Sequence, residues 1–401
     1  MSDLHPPWLA EPPVQRLLAA LDAIGIEARF VGGCVRDALL GIAGGDTDLA
    51  TPAPPETVMA ALRKARIKVV PTGIAHGTVT AVIASRPFEI TTLRRDVETY
   101  GRRAKVAFDA DWDEDAARRD FTINAIYLAP DGTLFDPVGG RADLAAHRVR
   151  FVGDPATRIA EDVLRILRYY RFEARFGAGD GDPDARAACR ARAAKLPALS
   201  AERVWRELSR LLSSPNPIRA LRMMRDDSVL AAILPEATRI DRLDNLVALS
   251  DDPLLRLAAL IEANGAGASA LAERLRLSKI EHNRLAGLAG PWPVEPDADD
   301  RAQRLSLYRL GQKRYGDLLL LLAADRRLKT AALHKLTELA ETWSIPAFPL
   351  GGDDVTALGI APGPRVGRLL AAVKRWWEDG DFAADRAACL AKLKELTARD
   401  L

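Results

Sequence analysis

Apolar positions along this chain change their period near residue 150. Before it, short alternating or clustered apolar runs are interleaved with helix-spaced segments. After it almost every segment repeats at the 3.6-residue period of an α-helix. In the first part Val14 to Ile24 reads as an amphipathic helix, Ala28 to Val31 as a strand, Val35 to Leu40 as a short helix and Asp46 to Ala50 as a second strand. Pro55 to Ala65 reads as a helix, its prolines at the first turn, where a missing N–H costs little. Lys68 to Val70, Thr78 to Ala84 and Phe88 to Leu93 read as strands. Arg95 to Ala110 is polar, contains Gly101 and has no period, which predicts a long loop of the kind that is often functional.

Asp115 to Leu128 reads as a helix, Asp131-Gly132 as a turn, Val149 to Val152 as a strand and Pro155 to Phe172 as one long helix. Gly177 to Pro183 reads as a loop. Helices are then expected over Ala201 to Leu212, Pro217 to Met224, Pro253 to Glu262, Ala268 to Arg276 and Lys279 to Leu288, with a boundary at Pro291 to Pro296. The predicted class is α+β: a head with a mixed sheet (1–150), followed by an all-α neck (151–215), body (216–290) and tail (291–401).

Composition narrows this. A chain of 401 residues, 48% of them apolar, can bury more than one core, and two to four domains are expected. No apolar run approaches the roughly 20 residues of a membrane span, and the first residues lack a signal-peptide pattern, so a cytoplasmic protein is predicted. Cys34, Cys189 and Cys389 are scattered and suggest neither disulfides nor a zinc site. A net charge of +2 excludes a global basic field. Arg186 to Arg225, however, holds ten Lys or Arg against Glu202 and Glu207. That excess makes a phosphate-backbone track conceivable, with a solvated helix face as the simpler account.

The chemistry concentrates in a few motifs. Gly32-Gly33-Cys34-Val35-Arg36-Asp37 follows an apolar run. Its glycines allow a tight turn, and a helix from Val35 would aim N–H groups and Arg36 at phosphates. Asp46 and Asp48, at i and i+2 on an extended segment, point to one side and could hold Mg2+. Alone, such a pair is a weak signal, because most are solvated turn residues. Glu89 lies between Phe88 and Ile90, which should face the core, so it would face the other way and could join the two aspartates. In Arg118 to Asn124, a helix would put Asp120 and Asn124 on one face, suited to ribose hydroxyls, with Arg119 reaching a phosphate or bracing the acids. Asp136 to Gly140 reads as a turn joining head to neck. In Glu161 to Arg171, Asp162, Arg165, Arg168 and Arg171 recur every three residues. Surface ion pairs would explain that spacing, and so would base reading. Asp accepts and Arg donates, so Asp162 beside Arg165 complements an amino group next to an unprotonated ring nitrogen, as in adenine and cytosine but not guanine or uracil.

Five motifs in order, Gly32 to Asp48, Arg118 to Asn124, Asp136 to Gly140, Glu161 to Arg171 and Ser200 to Leu208, resemble the tRNA nucleotidyltransferases of the polymerase-β-like superfamily. The resemblance is to the class II CCA-adding enzymes and their relatives, the bacterial poly(A) polymerases, and spans about the first 210 residues. It implies a polymerase-β-like head, Mg2+ as cofactor, tRNA as partner, and CTP and ATP as substrates. Asp46 and Asp48 match the metal ligands and Glu89 the third acid; Gly33 and Arg36 match triphosphate contacts. Arg119, Asp120 and Asn124 match the ribose and phosphate motif, Asp162 and Arg165 the base-reading pair, and Arg168 and Arg171 further nucleotide contacts. Arg95 to Ala110 resembles the loop that helps switch from CTP to ATP. Val70 to Thr78 lacks the basic element of poly(A) polymerases, which favours tRNA. None of the five histidines precedes Asp, as a phosphohydrolase motif would require, so His76 reads as structural. A-only addition, poly(A) addition and a non-catalytic RNA-binding protein stay as alternatives.

Overall fold

The computed structural model describes residues 3–74, 77–100, 103–107 and 110–399; His76 and Gly101 lie outside them. The chain forms two compact units, Met1–Pro235 and Glu236–Leu401. In the first, helix α1 (Pro12–Asp22) precedes β1 (Arg29–Val31), α2 (Gly33–Leu39), β2 (Leu49–Thr51) and α3 (Pro55–Lys64). Then come β3 (Lys68–Gly73), β4 (Thr78–Ile83) and β5 (Arg86–Thr92), β6 (Arg95–Tyr100) and β7 (Arg103–Ala107), α4 (Trp112–Ala117), β8 (Tyr127–Leu128), β9 (Leu134–Phe135) and α5 (Gly140–Ala145). The sheet order is β3-β4-β5-β2-β1-β8-β9. Only β2 and β5 run parallel among these pairs, so the sheet is mixed.

Alternation along the strands decides which face is which. Phe30, Leu49, Phe88 and Ile90 turn into a core under α1 and α3, with Val14, Leu17 and Leu62. Each such side chain, fully buried, contributes roughly 1.5–3 kcal/mol. Val31 and Ala50 turn to the opposite face, into a smaller cluster with Ala116 and Tyr127. Asp48, two residues before Ala50, and Glu89, between Phe88 and Ile90, belong to this second face.

The helical part of this unit contains α6 (Pro155–Glu161), α7 (Leu164–Phe176), α8 (Pro183–Arg192), α9 (Ala201–Leu212), α10 (Ile218–Asp226) and α11 (Val229–Ile233). Helix α7 buries Ile166, Leu167, Tyr169 and Tyr170, and α9 buries Val204, Leu208, Leu211 and Leu212. In the second unit the regular elements among the described residues are helices, from Ile240–Val247 to Arg386–Arg399. No helix among the described residues is long and apolar enough to cross a membrane.

Four expectations need correction. The strand at Asp46 to Ala50 begins only at Leu49, so both aspartates precede it. Arg95 to Ala110 is mostly a hairpin, β6 pairing antiparallel with β7 as a separate two-stranded sheet. Asp115 to Leu128 is not one helix: α4 stops at Ala117, because Phe121 bridges to Phe151 and the Val152 amide donates to the Asp120 carbonyl at 3.1 Å. The long helix at Pro155 breaks at Asp162, whose backbone is extended (φ −151°, ψ 108°) and whose carboxylate accepts from the Leu164 amide at 3.1 Å.

Candidate active site

The acidic end of the site is made by the lead-in to β2. Asp46 is exposed, Thr47 is buried and Asp48 is half-buried, the alternation of an extended segment. Thr47 turns away and its hydroxyl accepts from Arg86 at 2.6 Å. The parallel register that sets Leu49 opposite Ile90 brings Glu89 beside Asp48. Burial, then the carboxylates of Glu89 and Asp46, push the Asp48 carboxyl up to about 6, with Arg119 opposing them. Among the described residues no three acids, cysteines or histidines converge closely enough to form a ready-made metal cage. Yet the donor set is hard carboxylate oxygen, and its mutual repulsion is what a divalent cation would relieve, so the residues fit one.

Next to the acids the chain turns at Gly32, whose φ of 80° belongs to glycine, and enters α2 at Gly33. Arg36 is buried on this helix. Its Nε donates to Asp37 Oδ1 at 2.9 Å and its Nη1 to Asn124 Oδ1 at 2.6 Å, and its guanidinium lies 4.2 Å from the Phe176 ring centre. Arg119 is braced by the Asp115 carboxylate (Nη2 to Oδ2, 3.0 Å) and donates to the Tyr127 hydroxyl at 3.1 Å.

Asp120 and Asn124 meet although no helix carries both: Asn124 Nδ2 donates to Asp120 Oδ1 at 3.0 Å. The other Asp120 oxygen accepts from Arg168 Nε of α7 at 2.8 Å. Burial alone would raise the Asp120 carboxyl, but Arg168 and the Asn124 and Phe121 donors hold it down at about 2. Arg171 donates to Glu207 of α9 at 2.6 Å, and Glu207 also lies 4.0 Å from Arg168. Glu207 is 3% exposed. It belongs to the Ser200 to Leu208 motif, to which sequence reasoning gave no chemistry. Its one signal was an acid placed within the apolar spacing of α9. Behind this joint Phe121 packs against Phe151 and Phe172, ring centres 4.8 and 5.0 Å away.

These side chains line one cleft of about 960 Å3, which includes Gly33, Arg36, Asp46, Asp48, Arg119, Asp120, Asn124, Arg168 and Arg171. Glu89, Asp162 and Arg165 are not part of its lining. Asp162 Oδ2 accepts from Arg203 at 2.6 Å, and Arg165 pairs with Glu161 and donates to the Arg158 carbonyl at 2.8 Å. The ribbon expected on one helix is therefore split, its first two members beside the helix break and its last two in the cleft. Asp136 accepts from the Gly140 and Arg141 amides at 2.7 and 2.9 Å, fixing the start of α5.

An acidic pair beside a glycine turn, opposed by arginines from a helical neck, is the arrangement of a nucleotidyltransferase. Family models agree: residues 28–150 match the poly A polymerase head domain, and residues 182–240 match the probable RNA and SrmB-binding site of polymerase A. The chain is 35% identical over 379 residues to mouse CCA tRNA nucleotidyltransferase 1, mitochondrial, covering 92% of this chain and 87% of that one. It is 30% identical over 396 residues to the CCA-adding enzyme of Limosilactobacillus fermentum, covering 96% of both. The crystal structure of the Bacillus stearothermophilus CCA-adding enzyme in complex with CTP superposes with a TM-score of 0.77 at 29% identity, covering 97% of this chain and 99% of that one. The chain belongs to the family of CCA-adding tRNA nucleotidyltransferases.

Proposed function

We propose that this protein adds CCA to the 3′ end of tRNA without a nucleic-acid template, using CTP and ATP and releasing pyrophosphate. The observation that carries this reading is that relatives named as CCA-adding enzymes match nearly the whole chain, while one cleft gathers the acidic pair with the guanidinium donors that nucleotidyl transfer needs. Asp46 and Asp48 would hold a divalent ion, with Glu89 as the third acid; Mg2+ suits their hard oxygen donors. When bound, it supplies Lewis-acid activation of the 3′-hydroxyl and neutralises charge on the transferring phosphate.

The remaining roles follow from donor chemistry. Gly33, Arg36 and Arg119 hold the triphosphate. Asp120 and Asn124 take ribose hydroxyls, and Arg168 and Arg171 take further nucleotide oxygens. Asp162 and Arg165 read the base: each carboxylate oxygen of Asp162 keeps a lone pair beyond the bond it now accepts. In the same proposal 1–150 is the transferase head, 151–215 the base-reading neck, 216–290 the body and 291–401 the tail that holds tRNA. A cytosolic location is also part of it and rests on the sequence reading alone. The test supplies each nucleotide singly to tRNA lacking CCA, to tRNA lacking only the final A, and to an unstructured RNA, and reads product lengths. Growth by two C and one A on tRNA alone is expected; A-only growth, or tailing of the unstructured RNA, would refute it.

A further inference from the structure

The cleft has a wall that none of these roles uses. Arg175 near the end of α7 and Arg210 in the last turn of α9 line it, with Ser209 and Ser213. We propose that these four residues form a second phosphate-binding subsite, separate from Arg36 and Arg119, that takes either a backbone phosphate of the RNA or the terminal phosphate of the nucleotide. The proposal deepens the transferase reading and rests on it for the identity of the ligands.

The charge on this wall is unspent. Arg168 and Arg171 are matched by Asp120 and Glu207. Among the described residues Arg175 has one ion-pair partner, Asp37 at 3.7 Å, and Asp37 is already held by Arg36 at 2.7 Å. Arg210 makes no ion pair among the described residues, and its side chain is exposed. Both arginines press on their neighbours. Burial first, with repulsion from Arg175 contributing, disfavours the charged form of Arg36; burial first, with repulsion from Arg168 and Arg210 contributing, does the same to Arg171. An anion held by Arg175 and Arg210 would offset that repulsion.

Position supports the same reading. Arg175 lies four residues beyond Arg171, about 6 Å further along the helix axis. Its side chain is 46% exposed, so it can turn to a ligand. The Ser213 hydroxyl is exposed, and that of Ser209 donates only to the Arg206 carbonyl at 3.2 Å. A simpler account of Arg210 is that a cation in a last helical turn offsets the free carbonyls there. That account applies equally to Arg175 in the last turn of α7, and it predicts a small stability change with no effect on ligands.

The test uses the full chain with Arg175→Gln, Arg210→Gln and the double variant, each checked by far-ultraviolet circular dichroism. Binding is measured without turnover: labelled tRNA lacking CCA over a salt series by anisotropy, and CTP and CMP by calorimetry. If RNA phosphate is the ligand, the double variant binds tRNA about tenfold or more weakly. The slope of log affinity against log salt then flattens by about 0.7 per lost contact, and CTP affinity stays as it was. If the terminal phosphate of the nucleotide is the ligand, CTP weakens, CMP does not and the salt slope is unchanged. Unchanged CTP affinity, tRNA affinity and salt slope in a folded double variant would overturn the subsite. Wild-type turnover is assayed in parallel: a protein that adds no nucleotide but shows these binding losses sinks the transferase reading and leaves the subsite standing.

Discussion

Replacing Asp120 by Asn cuts the joint between head and neck while keeping the shape of the side chain. Asp120 is 12% exposed at its side chain, and its carboxyl is held at about 2 against an ordinary 3.8. The ionised form therefore stabilises the fold by roughly 2 kcal/mol at neutral pH. Because the folded value is depressed, that contribution is complete above 3.8 and is lost as pH falls through about 2. Asparagine has one acceptor and one donor group where aspartate has two acceptors, and Arg168 and Asn124 both donate to it. Asn124 cannot turn to compensate, since its oxygen accepts from Arg36 at 2.6 Å. One bond is lost whichever way the new amide points. Chemical denaturation followed by circular dichroism should show Asp120→Asn less stable by about 2 kcal/mol at pH 7. The deficit should stay flat down to about pH 4 and then close. The kcat/KM for nucleotide should fall about 10- to 100-fold, since a charge-assisted bond in the cleft goes with it. A deficit that ignores pH, or none at all, would refute the reasoning.

Other substitutions probe the remaining parts. Asp46→Ala should reduce nucleotide incorporation by on the order of 1,000-fold or more with an unchanged circular dichroism spectrum, and retained turnover would remove it from the metal pair. Asp162→Ala should blur the choice of ATP and CTP over GTP and UTP, by about 10- to 100-fold in the ratio of kcat/KM values; unchanged selectivity would remove it as base reader. Phe121→Ala opens a cavity beneath Asp120 and should cost about 3–5 kcal/mol in denaturation, whereas a loss under 1 kcal/mol, read as roughly within error, would mean that the aromatic cluster does not brace the joint.

The sequence was most legible where one face of an element is buried. Alternation through Phe88, Glu89 and Ile90 placed Glu89 on the face that Asp48 shares, and the helical spacing of α9 and α10 marked those helices to within a residue or two at each end. It was least legible where tertiary pairing overrides local preference. The apolar spacing of Ile159, Leu164, Ile166 and Leu167 continues through the break at Asp162, so only backbone geometry reveals it. Asp120 and Asn124 came together as expected for a reason that was not: a turn pinned to residues 150–152, followed by a short 3-10 helix, brings them together rather than a continuous α-helix. The partnership of Glu207 with Arg168 and Arg171 crosses more than thirty positions of sequence, and no local pattern encodes it.

The bonds from Arg36 through Asn124 and Asp120 to Arg168, and on through Glu207 to Arg171, have a temporal consequence. Swinging the neck away from the head would take Arg168 from Asp120 and leave that carboxylate buried without its charged partner, at several kcal/mol. Any microsecond-to-millisecond closure of head on neck, the motion by which many enzymes test a substrate, would have to break and remake that pair in each cycle. In the base reading proposed above, choosing between bases needs only side chains to turn at the Asp162 break, where Asp162 is now held by Arg203. Selection in such a molecule is a matter of which donors and acceptors are already waiting when the nucleotide arrives.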